Sequence, residues 1–334
     1  MYKILVIGPA WAGDMVMAQS LFKTLKLQRP GCVIDVLAPE WTFSLLARMP
    51  EVASAIAMPL GHGQFALRSR LRLGRELRRN HYDQAIVLPN SWKSALIPFF
   101  AKIPQRTGFL GELRWGLLND VRRLEKKRLP MTVQRFVALA CTQDQMPPME
   151  CPAPELCIAA DRQRSVREKF HIDPGGPVLA LCPGAEYGPA KRWPARYFAE
   201  VARAKIAQGW QVWLFGSHRD KPAAEEIVAC TGSKCIDFSG RTTLAEAVDL
   251  MSLVDIVISN DSGLMHVAAA LQKKLLAIYG SSDPGFTPPL TEKARIISLG
   301  LDCSPCFKRE CPLQHTHCLT AITPEQVLQE LAAL

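Results

Sequence analysis

No stretch of this 334-residue chain approaches the roughly 20 consecutive apolar residues that a membrane-spanning helix requires. The start, Met1-Tyr-Lys-Ile-Leu-Val-Ile-Gly8, has no cleavable-leader pattern and reads as a first strand. The expectation is a protein that is made and stays in the cytoplasm. A Gly-x-Gly-x-x-Gly fingerprint is also missing. The first turn offers only Gly8 and Gly13, and no acidic residue closes the second strand, Val33-Ile-Asp-Val-Leu-Ala-Pro39. Nicotinamide dinucleotide binding is therefore disfavoured. The basic runs lack the interleaved aromatics of a single-strand binder, so no nucleic-acid partner is expected. Standard zinc spacing is absent among the 11 cysteines. Cys303-x-x-Cys306 is half of such a site, but Cys311 and Cys318, with His315 and His317 between them, do not supply the other half. A reduced, loop-stabilising cluster is expected, with no metal ligands assigned.

The remaining composition is that of a folded two-domain chain: 48% hydrophobic and 21% charged over a length too great for one ordinary core. Its net charge of +9 is lopsided. Residues 1–160 hold 21 Lys/Arg against 12 Asp/Glu, whereas residues 161–334 hold 19 of each. The excess concentrates in Arg68, Arg70, Arg72, Arg75, Arg78 and Arg79, then in Arg122, Arg123, Lys126, Lys127 and Arg128. Such density suits an anionic partner, although any single Arg also suits a solvated helix face.

Apolar runs alternate with helical stretches in both halves, which predicts α/β architecture with parallel sheets covered on both faces. The expected strands are Lys3–Gly8, Val33–Ala38, Gln84–Pro89, Val178–Cys182, Gln211–Gly216, Cys235–Phe238, Asp255–Ser259 and Lys274–Tyr279. Four prolines between Met146 and Pro154 read as a linker. Two such domains would leave a cleft between the carboxyl ends of their sheets, where ligands of open α/β sheets bind. Thr323-Pro-Glu at the start of the last segment reads as a capped terminal helix.

Four strand-end loops carry the chemistry. Ser259-Asn-Asp-Ser-Gly-Leu-Met-His266 joins a strand to a helix, and the first-turn amides there can bind phosphate. Asp261 or Ser262 could equally be a helix cap, and the two readings are compatible. Gly8-Pro-Ala-Trp-Ala-Gly-Asp14 is the second junction. Asp14 there is either a helix-start carboxylate with a dipole role or a general base for a hydroxyl nucleophile. In the third, Lys191-Arg192-Trp193-Pro194 places two cations at a helix start, which suits a diphosphate. In the fourth, Asp220 follows a strand and could accept from ribose hydroxyls.

Taken together, the Gly13-Asp14 turn, the Lys191-Arg-Trp-Pro194 segment and Asp261-Ser-Gly-Leu-x-His266 resemble the bacterial lipopolysaccharide heptosyltransferases, glycosyltransferase family nine. The match in order and spacing covers nearly the whole chain. The segment Cys303-Ser-Pro-Cys-Phe-Lys-Arg-Glu-Cys311 is similar to the branch that adds the second inner-core heptose. The resemblance implies a GT-B fold, two Rossmann-like domains with mainly parallel sheets facing a central cleft. Residues 1–150 would be the acceptor domain, residues 158–322 the ADP-heptose domain and residues 323–334 a terminal helix. It further implies an inverting transfer from ADP-L-glycero-β-D-manno-heptose to heptosyl-Kdo-lipid A, without cofactor or catalytic metal. The setting would be the anionic cytoplasmic face of the inner membrane. On that template Asp14 is the base and Lys191 the diphosphate cation. Gly13, Asp220, Thr242, Asp261, Ser262, Gly263 and His266 contact the donor. Two departures stand out: Pro9-Ala10-Trp11, and Glu186-Tyr187 after Gly184, replace hydroxyl residues of relatives that transfer the first heptose. A transferase with another core acceptor, or a non-catalytic nucleotide binder, are the competing readings.

Overall fold

The computed structural model describes residues 1–61, 63–142, 150–172 and 175–334, and its chain divides into two units, Met1–Pro154 and Glu155–Leu334. Of the proline-rich segment read as a linker, residues 146–149 lie outside the described residues. The first unit contains β1 (Lys3–Ile7), β2 (Val33–Ala38), β3 (Ser54–Ala57), β4 (Gln84–Val87), β5 (Gln105–Phe109) and β6 (Asp120–Arg122). The second contains β7 (Val178–Cys182), β8 (Gln211–Leu214), β9 (Ile236–Asp237), β10 (Ile256–Asn260), β11 (Lys274–Ile278) and β12 (Ala294–Ile297). Every pairing within these sheets is parallel.

The strand orders are β3-β2-β1-β4-β5-β6 and β12-β11-β10-β7-β8-β9. Counted from the first strand of each unit, both follow the doubly wound 3-2-1-4-5-6 order, so the expected α/β class holds twice over. In each sheet the direction of winding reverses between the first and fourth strands, and loops leaving those two carboxyl ends part to form a crevice. The reversal lies between β1 and β4 in one unit and between β7 and β10 in the other. Strands β7 and β10 are buried along their whole length, as parallel strands covered on both faces must be.

Helices close the faces. In the first unit Leu5, Ile7, Ala85 and Val87 pack with Leu77 and Ile97. In the second, Leu181, Leu214, Ile258 and Ile278 pack with Phe198 and Ile227, and with Val327 and Leu331 of the terminal Pro324–Ala332 helix. That helix starts as its sequence predicts: Thr323 accepts from the Gln326 amide at 3.3 Å, and the Gln326 side chain accepts from the Thr323 amide at 3.0 Å.

The arginines of the basic first unit divide by role. Arg70 is buried and donates to the carbonyls of Phe65 (2.7 Å), Gln64 (3.0 Å) and Lys93 (3.1 Å). Arg114, wholly buried, donates to the carbonyls of Pro89 (2.7 Å) and Phe109 (3.0 Å), and burial pushes its guanidinium down to about 10. Arg122 grips Asp120 through two bonds of 2.8 and 2.9 Å. The sequence reading placed Arg70 and Arg122 in the anion-facing excess; both instead satisfy groups of their own chain.

The helix Leu67–Leu77 lies against the helix Leu96–Phe100 at Gly74. A Cβ there would sit 2.6 Å from the Phe100 Cβ and 2.9 Å from the Ile97 carbonyl oxygen. Gly74→Ala therefore loses more from overpacking, about 1–3 kcal/mol, than it gains in helix propensity, up to about 1 kcal/mol. A lowered denaturation midpoint is expected, and an unchanged or raised one would show that the two helices separate freely.

Candidate active site

The polar groups of the second unit converge where β7 and β10 end side by side. After β7 the chain runs through Pro183 and Gly184 into the turn Pro189–Lys191, then Trp193 and the helix Ala195–Ala207. After β10 it passes Asp261 and Ser262 into the helix Gly263–Ala270. Asn260, the last residue of β10, is buried and ties the two exits together. Its amide donates to the Pro183 carbonyl (2.7 Å), and its oxygen accepts from the Trp193 amide (3.0 Å). The buried Trp193 indole in turn donates to the Ile322 carbonyl at 2.9 Å. With Trp193 fixed at both ends, Lys191 two residues earlier has a defined place.

Lys191 Nζ lies 2.5 Å from Asp261 Oδ2. The carboxylate is 5% exposed and the lysine 16%, so the pair is largely withdrawn from water. A buried pair of this kind pays a desolvation cost and contributes little stability by itself. It does place a cation and a carboxylate side by side at the mouth of the crevice. The Asp261 amide donates to Ile278 O at 3.1 Å, which anchors the turn to β11.

Capping and anion binding were both open readings of this turn. Ser262 occupies the cap position with φ −147° and ψ 171°, but its side chain caps nothing. Its hydroxyl instead lies 3.2 Å from that of Ser259. The amides of the first turn, beginning at Gly263, make no bond to the cap side chain and carry the positive end of the helix dipole. One turn further in, His266 is buried, and that burial pushes its imidazole down to about 4, against the opposing pull of Asp261. It is a neutral ring at neutral pH.

Asp220 sits at the exit of β8. Its Oδ2 accepts from the Ser217 amide (2.9 Å) and hydroxyl (2.8 Å), while Oδ1 lies 3.7 Å from Arg192. Gly184 is the complement to this carboxylate, since a Cβ on it would stand 2.5 Å from both oxygens. Thr242 lies further out, half-buried in the loop after β9. The geometry therefore brings together Lys191, Asp261, Ser262, Gly263 and His266, joins Asp220 to them through Arg192, and leaves Thr242 on the flank.

In the first unit, Gly13 and Asp14 open the helix Ala12–Gln28 directly after β1. Gly13 is buried, Asp14 is half-buried at the third helical position, and the cap residue Trp11 offers no side-chain bond. Asp14 thus stands at the winding reversal of its own sheet.

Some polar residues escaped the sequence reading. The hydroxyls of Ser239, Ser281 and Ser282 are buried with no hydrogen-bond partner among the described residues, at the exits of β9 and β11. Ser281 is wired to the Lys191 turn: its amide donates to the Ala190 carbonyl at 3.3 Å. No spacing rule distinguishes these serines from loop serines, whereas Asn260, at the end of an apolar strand, announces an amide that needs internal partners.

The cysteine segment supports the same turn through its backbone. Ala190 donates to the Arg309 carbonyl (3.0 Å), and Phe307 donates to the Ser281 carbonyl (2.7 Å). Tyr187 donates to the Phe307 carbonyl (2.8 Å). All 11 cysteines are free thiols, and among the described residues no group of three or more His, Cys, Asp or Glu is arranged to hold a metal.

Comparison with known proteins gives a consistent result. The sequence profile described as glycosyltransferase family 9 (heptosyltransferase) matches residues 70–317. The lipopolysaccharide heptosyltransferase 2 of Salmonella typhimurium is 49% identical over 341 residues, covering 99% of this chain and 98% of that protein. Its Escherichia coli K12 counterpart is 48% identical with the same coverage. The solved structure of E. coli ADP-heptose LPS heptosyltransferase II has a TM-score of 0.88 at 46% identity, covering 99% of this chain and 98% of that one.

The buried neutral His266 predicts a pH dependence of stability. Its folded-state value lies below that of an unfolded histidine, so its contribution is complete above about pH 6.5 and drains away as the pH falls towards 4. The loss approaches roughly 3 kcal/mol once both states are protonated. Thermal melts of wild type and His266→Gln over that range should converge as the pH falls; a constant gap would mean that the ring does not titrate below its ordinary value.

Proposed function

This chain belongs to glycosyltransferase family 9, the heptosyltransferases, and from that premise we infer that it transfers L-glycero-D-manno-heptose from ADP-heptose onto the first heptose of heptosyl-Kdo-lipid A. The observation that carries the reading is the Lys191–Asp261 pair at the head of an uncapped helix. A bare phosphate needs cations alone, and a buried carboxylate beside it is repulsive. A sugar diphosphate needs both signs at once: a cation for the phosphate oxygens and a carboxylate to accept from sugar hydroxyls.

The proposed chemistry is a single displacement. The acceptor hydroxyl attacks the anomeric carbon opposite the ADP leaving group, with inversion. Asp14 takes the hydroxyl proton as the new bond forms. Charge developing on the diphosphate is met by Lys191 and by the first-turn amides of the Gly263–Ala270 helix, already aligned before reaction. Neutral His266 lies one turn behind as a hydrogen-bonding group that does not compete for the anion. Asp220 and Thr242 take the ribose and adenine end of the donor. The orphaned hydroxyls of Ser281 and Ser282 suit the same ligand, since a buried hydroxyl costs about 1–3 kcal/mol until something pairs with it.

The acceptor is lipid-anchored, so the enzyme works at the anionic cytoplasmic face of the inner membrane. No described helix is long and apolar enough to cross a membrane, and peripheral association is the mode that serves this substrate. Product formation from ADP-heptose on lipid A acceptors with and without the first heptose tests the assignment; equal transfer onto both would move it to a different core acceptor. Asp14→Asn should lower turnover by about 10²–10⁴-fold while ADP-heptose still binds. Loss of binding together with turnover would give Asp14 a structural role instead.

A further inference from the structure

The outward face of the helix Leu67–Leu77 and its following turn carries none of the residues assigned above to donor binding or proton transfer. Arg68, Arg72, Arg75 and Arg79 recur at i, i+4, i+7 and i+11, which confines them to a stripe about 60° wide and about 16 Å long. The stripe is opposite the face that buries Arg70, Gly74 and Leu77. All four are exposed, and none has an ion-pair partner among the described residues. Together with Leu71 and Glu76 they line a shallow groove of 440 Å³.

Beside the N-terminus of this helix, three large apolar side chains are exposed. Phe65 is 44% exposed, Leu67 45% and Trp92 39%, with the Phe65 and Trp92 rings 5.1 Å apart. Arg70 secures them from beneath through the carbonyls of Gln64, Phe65 and Lys93. A row of unpaired guanidiniums capped by rigidly mounted aromatic and aliphatic side chains is complementary to a surface with anionic phosphates outside and hydrocarbon just below.

We propose that this face, Arg68, Arg72, Arg75 and Arg79 with Phe65, Leu67 and Trp92, is the surface through which the protein docks on an anionic lipid bilayer. The proposal deepens the membrane association inferred above by assigning it to one helix and the apolar residues beside its N-terminus. It also gives the association an apolar component that salt does not screen. The second basic run is partly committed elsewhere: Arg122 grips Asp120, and Arg128 pairs with Glu125 at 3.1 Å.

Full-length protein sedimented with phosphatidylglycerol–phosphatidylethanolamine vesicles tests this without any need for turnover. Replacing two guanidiniums, in Arg72→Gln/Arg75→Gln, should weaken vesicle binding about thirtyfold. Transfer onto an acceptor stripped of its acyl chains should stay at the wild-type rate. Phe65→Ser/Leu67→Ser should remove the fraction that stays bound in high salt, and Lys126→Gln/Lys127→Gln should bind as wild type. Equal binding by wild type and Arg72→Gln/Arg75→Gln would overturn the proposal. So would wild-type binding as tight to phosphatidylcholine vesicles, or no vesicle binding at all with the face engaging a protein or free phosphate instead. Wild-type vesicle binding without heptose transfer would leave the docking face standing and remove the functional reading.

Discussion

The Lys191–Asp261 pair is the interaction on which the rest of the site depends. It lies where two parallel strands leave the sheet on opposite sides of a winding reversal, the one place where loops part without breaking the strand ladder. Nothing about the pair is self-supporting, because its Coulomb energy is largely offset by desolvation. Its position comes from neighbours. The Asn260 amide clamps the exits of β7 and β10, Trp193 locks into the terminal segment, and the backbone of the cysteine segment holds the Lys191 turn from the other side. The cysteines thus matter less as thiols than as part of a loop whose carbonyls meet Ala190 and Tyr187.

The strongest sequence signals were those in which local pattern and burial agree. Strands β1, β2, β4, β7, β8, β10 and β11 are apolar runs flanked by turns, and each was legible, as was the short β9 within Cys235–Phe238. The strands β3, β5, β6 and β12 were not. Gln105-Arg-Thr-Gly-Phe109 and Asp120-Val-Arg122 carry charge and glycine, and they become strands because a neighbouring strand is already in place to pair with them. At the site, the strand-to-helix turns were legible because glycine, acid and cation must appear there in sequence order. Asp220 shows the limit of that reading. Its carboxylate is held by Ser217 and reaches its place only because Gly184 and Gly216 have no side chains, a complementarity across distant loops that sequence spacing does not encode.

The basic first half carried a second ambiguity that only burial resolves. Arginines 70 and 114 are internal, using their five donors to satisfy carbonyls where the chain turns. Arginines 68, 72, 75 and 79 share one outward stripe. Composition counts all six alike, while helical phase separates Arg70 from the stripe and Arg114 lies in the loop after β5. The same helix therefore secures a turn with one face and presents charge with the other.

The central claim is that Lys191, held by Asp261, makes the site a diphosphate receptor before any ligand arrives. Titration calorimetry of ADP into wild type and Lys191→Gln tests it most directly, because glutamine keeps a hydrogen bond to Asp261 while removing the charge. The account predicts affinity weaker by roughly 100-fold, the worth of a charge-assisted contact in a largely dry site, with the fold retained. Unchanged ADP affinity in Lys191→Gln would contradict it.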